Sequence, residues 1–481
     1  MQPYQVLILI ALYFIVLITI SFFTGRGGSN AEFFKANKQA PWYLVAFGMI
    51  GASLSGVTFI SIPGTVEADS FSYFQVVLGY TIGYAVIGQV LLPLYYKMNL
   101  TSIYTYLESR FGNASYKTGA SFFLLSRIVG ASFRLFLVAN VLQLLVFDAM
   151  GVPYYLTVTI TILLIWLYTF RSGIKTIVWT DSLQTFFMLL ALGISIYFIS
   201  ENLGITLGTF FNYLSESEHS KIFFFEDWKS KDHFVKQFFS GAFIAIVMTG
   251  LDQDMMQKNL TCRSLKDAQK NMLWFTIVLV FANFLFLALG LLLTDYAEIN
   301  GILEKKDDLF PAIAASGKLG LAVAVFFILG LVAAAYSSAD SALTALTTSF
   351  SIDILDIEKK YDEQKQIRIR KQIHITISIV LIIVMLIFKY AIADKSVINK
   401  LFQFAGYTYG PLLGLYSFGL FTKLQVKDKL VPIIAIAAPI LSYVISMHSL
   451  AWFGFEFGFF ILILNGLLTF LGLVLITRKH N

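Results

Sequence analysis

Three groups of polar residues interrupt an otherwise apolar chain, and their spacing suits ion and anion chemistry. The first is Gly51-Ala52-Ser53-Leu54-Ser55-Gly56-Val57-Thr58, inside the run 47–64, which Pro63-Gly64 closes. That run is long enough to cross a bilayer, but Gly costs a helix about 1 kcal/mol against Ala, and Ser and Thr offer the backbone competing hydrogen bonds. The helix is therefore expected to open near the midplane. Opening frees carbonyl oxygens that must find partners in hydrocarbon, and a bound cation is one such partner. Close approach of a neighbouring helix is the plainer use of the same small residues.

The second group is Ala334-Ala335-Tyr336-Ser337-Ser338-Ala339-Asp340-Ser341. Ser337, Ser338 and Ser341 fall on one side of a helix, and hydroxyl and carbonyl oxygens are hard ligands suited to hard cations. Serines also serve as glue between helices, a reading that Asp340 makes less comfortable. Asp181, a few residues into another apolar run, needs a cation or a donor, and Arg171 in the preceding loop is one source.

The third group is a pair of arginines, Arg127 and Arg134, seven residues apart and so on one helix face. An intramembrane charge costs about 2.5–3.5 kcal/mol on insertion scales, so each should face a cavity or a partner. Guanidinium binds carboxylate bidentately and stays charged, which makes an anionic substrate worth proposing for Arg134, the nearer to the midplane. Snorkelling, or pairing with Asp148 or another acid, is the competing reading for both.

These groups need a membrane scaffold. The 481 residues are 57% hydrophobic and 13% charged, with mean hydropathy +0.75, far from the soluble average of about 25% charged. At roughly 20 apolar residues per span, thirteen transmembrane helices are expected, at 5–24, 42–62, 75–96, 119–148, 153–170, 176–199, 236–256, 272–294, 319–350, 370–391, 397–421, 430–447 and 456–477. The result is an all-α integral membrane protein. Lys and Arg crowd alternate connections, more than twice as many on one side as on the other. By the positive-inside rule the N-terminus is outside and the C-terminus cytoplasmic. The pI near 9.0 then reflects topology and implies no nucleic acid. The segment from Ile352 to Lys371 reads as a solvated cytoplasmic helix extension, and Gly410-Pro411 as a kink. Met1 to Gln5 lack the positive charge of a cleaved signal peptide. Lone Cys262 excludes an internal disulfide framework. No zinc spacing, Gly-rich phosphate loop or intramembrane nucleophile–base pair is present, so an enzyme is not expected.

Taken together, Gly173-Ile174-Lys175 with Trp179-Thr180-Asp181 and Gln184, the Ala334-x-x-Ser337-Ser338 cluster and Gly410-Pro411-Leu412-Leu413-Gly414 resemble the sodium/solute symporter family of LeuT-type fold. The resemblance covers nearly the whole chain. It implies one transmembrane domain over 1–481, with an extra helix at 5–24, five-helix inverted repeats at 42–199 and 236–421, and peripheral helices at 430–477. It implies a sodium site made of the Gly51, Leu54 and Ala334 carbonyls and the Ser337 and Ser338 hydroxyls. Sialic acid members of the family have a second sodium site, which here would use Asp181, Ser337 and Ser341, with Asp340 standing where that pattern has a serine. Ser53-Leu54-Ser55-Gly56-Val57-Thr58 resembles the sialic acid, monocarboxylate, vitamin and iodide branch. The implied substrate contacts are Ser53, Ser55 and Thr58, with Arg134 on the fourth span and Gln75 as further candidates.

The function expected is sodium-driven import of a small organic anion, sialic acid or another carboxylate, across a cell membrane of bacterial inner-membrane type. The partners implied are sodium, the substrate and lipid, with no obligate protein partner. A neutral sugar or polyol substrate, with Arg134 purely structural, is the nearest rival. A transporter-like sensor and a passive channel are others.

Overall fold

In hydrocarbon an apolar chain must satisfy its backbone within each segment, and helices do so. The computed structural model describes residues 3–24, 33–34, 36–169, 173–391 and 397–478, and among them the only β-pairing is two isolated bridges. The helix α1 (Pro3–Thr24) shows the logic of the outer layer. Its Val6, Tyr13, Phe14 and Leu17 are buried, while Ile8, Leu12, Ile15 and Phe22 point outward, where lipid would lie.

The next span is broken. It consists of α2 (Trp42–Ser53) and α3 (Gly56–Asp69), bent by 54°. Leu54 leaves helical geometry at φ −78°, ψ 73°. After it come α4 (Tyr73–Val86), the long α5 (Asn113–Leu142), α6 (Tyr154–Thr169) and α7 (Ile174–Asn202).

The seventh span, expected as one helix over 236–256, is also broken. The helix α8 (Phe234–Ala245) runs on through a π turn to Gly250, and α9 (Gln253–Asn259) starts anew at 69° to it. The cause is Asp252, whose carboxylate accepts the N–H of Asp254 at 2.9 Å and of Met255 at 3.4 Å. An aspartate capping fresh N–H groups stabilises a new helix start, and Gly250 weakens the old one. Lys258, expected in a cytoplasmic connection, thereby falls on α9 and is buried.

The remaining elements are α10 (Leu265–Asn300), α11 (Gly320–Ser349), α12 (Glu363–Ala391), α13 (Val397–Thr408), α14 (Gly410–Phe421), α15 (Val431–Met447) and α16 (Ile461–Leu475). Of the described helices, nine qualify as spans by length and apolarity, and the two bent pairs bring the number to eleven. The other two expected spans correspond to α6 and to the α13–α14 pair, which are shorter or interrupted. Arg370, expected on a solvated extension, lies buried with its guanidinium 4.2 Å from the Phe33 ring.

Close crossings hold the broken helices in place. The α4 and α8 backbones nearly touch: a Cβ on Gly79 would stand 2.0 Å from the Phe238 carbonyl oxygen, and one on Gly241 would stand 2.0 Å from that of Val76. Helix α7 packs against both α2 and α11, and α3 against α10. The break of the second span is thus carried into the middle of the bundle.

Candidate functional site

The α2–α3 break meets α11 at the serine cluster. Ser338 Oγ donates to the Ala52 carbonyl at 3.1 Å, and a Cβ on Gly51 would lie 3.2 Å from Ser337 Oγ. Gly51, Leu54, Ala334, Ser337 and Ser338 are all buried where these elements meet. The carbonyl that receives Ser338 is that of Ala52, next to the expected Gly51. Break backbone and serine hydroxyls meet there, and such oxygens are hard donors of the kind sodium takes.

Beside the break lies a central cavity of about 70 Å³. Ser53, Ser55 and Thr58 line it, as do both arginines of α5. Small-molecule sites run to about 300–1,000 Å³, so a solute enters this one only if the walls move. Tyr73, Tyr80, Tyr84, Thr249 and Asn283 complete much of the wall. Outside it is a larger vestibule of about 390 Å³, and Tyr73 lines both spaces. Tyr73 stacks on Phe402 with ring centroids 6.3 Å apart and donates to, or accepts from, Tyr80 at 2.9 Å between hydroxyl oxygens. Tyr73 of the stacked pair stands between the two spaces.

The two arginines have different neighbours. Arg127 pairs with Asp254 and lies 3.9 Å from Asp252, all three being buried on α5 and the start of α9. The Tyr409 hydroxyl also donates to Asp252, at 2.5 Å. Asp148, named above as a partner, instead accepts from Gln143 at 2.6 Å. Arg134 is buried as well, yet its Nε and Nη1 have no hydrogen-bond partner and no carboxylate pairs with it among the described residues. The cavity wall therefore contains one guanidinium beside carboxylates, Arg127, and one, Arg134, with no carboxylate paired to it among the described residues.

Asp181 has a protein cation of its own. Lys258 Nζ donates to its Oδ2 at 2.6 Å, and both side chains are buried. Ser337 Oγ donates to Asp181 Oδ1 at 3.0 Å, and Ser341 Oγ lies 3.3 Å from Oδ2 and 3.0 Å from the Ser337 carbonyl. Asp340 is joined to the cluster through Ser341, whose N–H it accepts at 2.6 Å, and it accepts the Tyr168 hydroxyl at 2.8 Å. The residues expected of a second sodium site are thus together, but they do not fit a further cation. Each carboxylate oxygen already has a donor, and an ammonium stands in contact. Arg171, the alternative donor to Asp181, lies outside the described residues.

Gln75 is not brought to the cavity. Its amide donates to the Asp232 carbonyl at 2.9 Å and accepts the Phe224 N–H at 3.1 Å, tying α4 to the loop between α7 and α8. Asp252, Asp254 and Lys258 were missed in the sequence, although two of them stand inside the expected span 236–256. Carboxylates at such a depth are a signal of function in their own right.

This architecture, with two broken helices around a central polar cavity, has counterparts among known proteins. A profile of the sodium:solute symporter family matches residues 33–426. The chain belongs to that family. Membership makes it a multi-pass membrane protein that moves a small solute together with sodium. The sodium/sialic acid symporter NanT of Aliivibrio fischeri is 24% identical over 432 residues, covering 87% of this chain and 83% of that protein. The sodium/sialic acid symporter SiaT of Proteus mirabilis is 25% identical over 429 residues, covering 85% and 82%. The sodium/glucose cotransporter of Vibrio parahaemolyticus is 24% identical over 373 residues, covering 72% and 67%. In fold, a Na+-coupled sialic acid symporter solved in a substrate-bound outward-open state superposes with a TM-score of 0.83 at 18% identity, over 99% of each chain.

Proposed function

We propose that this symporter imports a small organic anion, a carboxylate of the sialic acid kind, by alternating access. The observation that carries the reading is Arg134, a buried guanidinium with unpaired donors in a cavity that Ser53, Ser55 and Thr58 also line. A carboxylate would take the guanidinium bidentately and the hydroxyls in addition, which a neutral sugar cannot do. The two sialic acid relatives, each aligned over most of this chain, favour the same class.

Sodium is assigned to the α2–α11 junction, with the Gly51, Ala52, Leu54 and Ala334 backbone and the Ser337 and Ser338 hydroxyls as its surroundings. Bound there, it would hold the broken α2 against α11 and so favour the state in which the cavity faces outward. Coupling follows only if both ligands prefer one state, because equal affinity for two states shifts neither. With the N-terminus outside, that state draws from the external medium and its partner state releases to the cytoplasm.

The test is uptake of radiolabelled sialic acid into proteoliposomes, with a panel of smaller carboxylates and neutral sugars alongside, with and without an inward sodium gradient. Uphill, sodium-dependent uptake of a carboxylate is expected. Accumulation of only neutral sugars would overturn the anion assignment and leave Arg134 structural. Ser338→Ala should raise the sodium concentration needed for half-maximal uptake by about tenfold, from loss of a contact of roughly 1–1.5 kcal/mol. Unchanged sodium dependence would remove the cation from this junction.

A further inference from the structure

We infer that the Lys258 ammonium is the resident cation of the Asp181–Ser337–Ser341 cluster, so that the chain binds one sodium ion and not two. The inference rests on the symport reading above and concerns its stoichiometry.

Three observations carry it. The first is contact: Nζ lies 2.6 Å from Asp181 Oδ2, with lysine and aspartate side chains 1% and 0% exposed. A univalent ammonium offers this carboxylate the charge that a sodium ion would offer, and a second cation beside it would meet like-charge repulsion in a medium of low dielectric constant.

The second is saturation of the oxygens. Ser337 covers Oδ1 of Asp181, and Lys258 and Ser341 reach Oδ2. Asp340 spends its oxygens on the Tyr168 hydroxyl and the Ser341 N–H.

The third is the way Lys258 reaches the cluster. It lies one turn beyond Asp254 on α9, and this seven-residue half-helix joins two scaffold helices by opposite charges, Asp254 to Arg127 of α5 and Lys258 to Asp181 of α7. The cation is tethered to an element behind a 69° break. It can move from the carboxylate only as far as its own side chain and α9 allow, whereas a free ion could dissociate altogether. The same ammonium therefore fills the cation position and fastens the floor beneath the cavity.

The test uses sodium alone on the full-length protein in lipid nanodiscs, read as radioactive sodium bound per chain. Wild type should bind one ion per chain with a Hill coefficient near 1. Lys258→Met should bind two, because it exposes Asp181 to the medium's cations, and Lys258→Arg should return to one. If Lys258→Met does not fold, the double variant Lys258→Met/Asp181→Asn, which leaves neither charge unpaired, should fold and bind one. Two ions per wild-type chain, or an unchanged count in Lys258→Met, would overturn the inference while leaving sodium symport standing. No sodium binding at all would overturn the symport reading and this inference with it.

Discussion

Arg127 and Arg134 stand two turns apart on one face of α5, both buried in the wall of one cavity, and only Arg127 is paired with a carboxylate. The pairing depends on the break in the seventh span. By restarting the chain as α9, Asp252 places itself and Asp254 beside Arg127. The same helix thus presents one arginine with a carboxylate partner and one without.

The two arginines should fail differently when replaced. Arg127→Gln leaves Asp252 and Asp254 buried without their cation, at a cost of about 3–5 kcal/mol. The expected result is a lower melting temperature and poor yield, whatever solute is present. Arg134→Gln removes an unpaired charge and should leave the melting temperature equal or higher. Its loss should appear as a 10- to 100-fold weaker affinity for an anionic solute, from about 1.5–3 kcal/mol of charged hydrogen bonding. Thermal unfolding and solute binding, measured on both variants, separate the roles. If both lost stability alike, the distinction drawn here would fail.

What could be read in the sequence divides along physical lines. Ser53, Ser55, Thr58, Ser337, Ser338 and Ser341 stood out because polar groups in a hydrocarbon-spanning run need a reason to be there. The weak helix at Gly51–Gly56 was legible for the same reason, through glycine and hydroxyl chemistry. Pairings were not legible. Lys258 and Asp181 are 77 residues apart, and composition shows that a lysine exists without showing which carboxylate it meets. The lysine read as a topology signal because it followed an apolar run. Asp252 and Asp254 were averaged away by the hydropathy of their neighbours, which hid the second break. Gln75 had the chemistry of a ligand contact, but its partners are backbone groups of a loop about 150 residues on.

The crossing of α4 and α8 should tolerate no added methyl group. In Gly79→Ala and Gly241→Ala the new Cβ would meet backbone carbonyl oxygens at 2.0 Å, so no side-chain rotation relieves the clash. Overpacking costs about 1–3 kcal/mol where side chains can adjust, and a backbone clash should reach or exceed that range. Gly193, with open space around it, is the control, and Gly193→Ala should be neutral or slightly stabilising. A melting temperature for Gly79→Ala matching that of Gly193→Ala would contradict the close crossing.

Cys262 should be chemically silent. It lies in the turn between α9 and α10, buried, and burial pushes its thiol up to about 12, with Asp267 adding to the shift. The thiolate is the reactive form, so at pH 7–8 a maleimide should leave the folded protein unlabelled. Because the pKa is raised, reactivity should increase with pH only toward about 12. Labelling at neutral pH should accompany unfolding and track loss of the native helix signal. Rapid labelling of the folded protein at pH 7 would mean that this turn is open to solvent.

The Tyr73–Phe402 barrier between cavity and vestibule offers a direct test of the proposed alternating access. Phe402 on α13 stacks on Tyr73 and packs edge-on against Phe459 at 5.1 Å, so its ring is held from both sides. Removing that ring joins the cavity to the vestibule beyond Tyr73. In Phe402→Ala, a solute bound in the cavity should escape outward without waiting for the bundle to move. Sodium-driven accumulation should then fall severalfold, while sodium binding, which depends on α2 and α11, stays near the wild-type value. Tyr73→Phe keeps the ring and loses only the hydroxyl contact to Tyr80. A single hydrogen bond is worth about 1 kcal/mol, so this variant should retain most of the accumulation. Steady-state uptake and solute exit rates from preloaded vesicles, compared across the two variants, test the assignment. Equal exit rates for Phe402→Ala and wild type would show that the outward seal lies elsewhere.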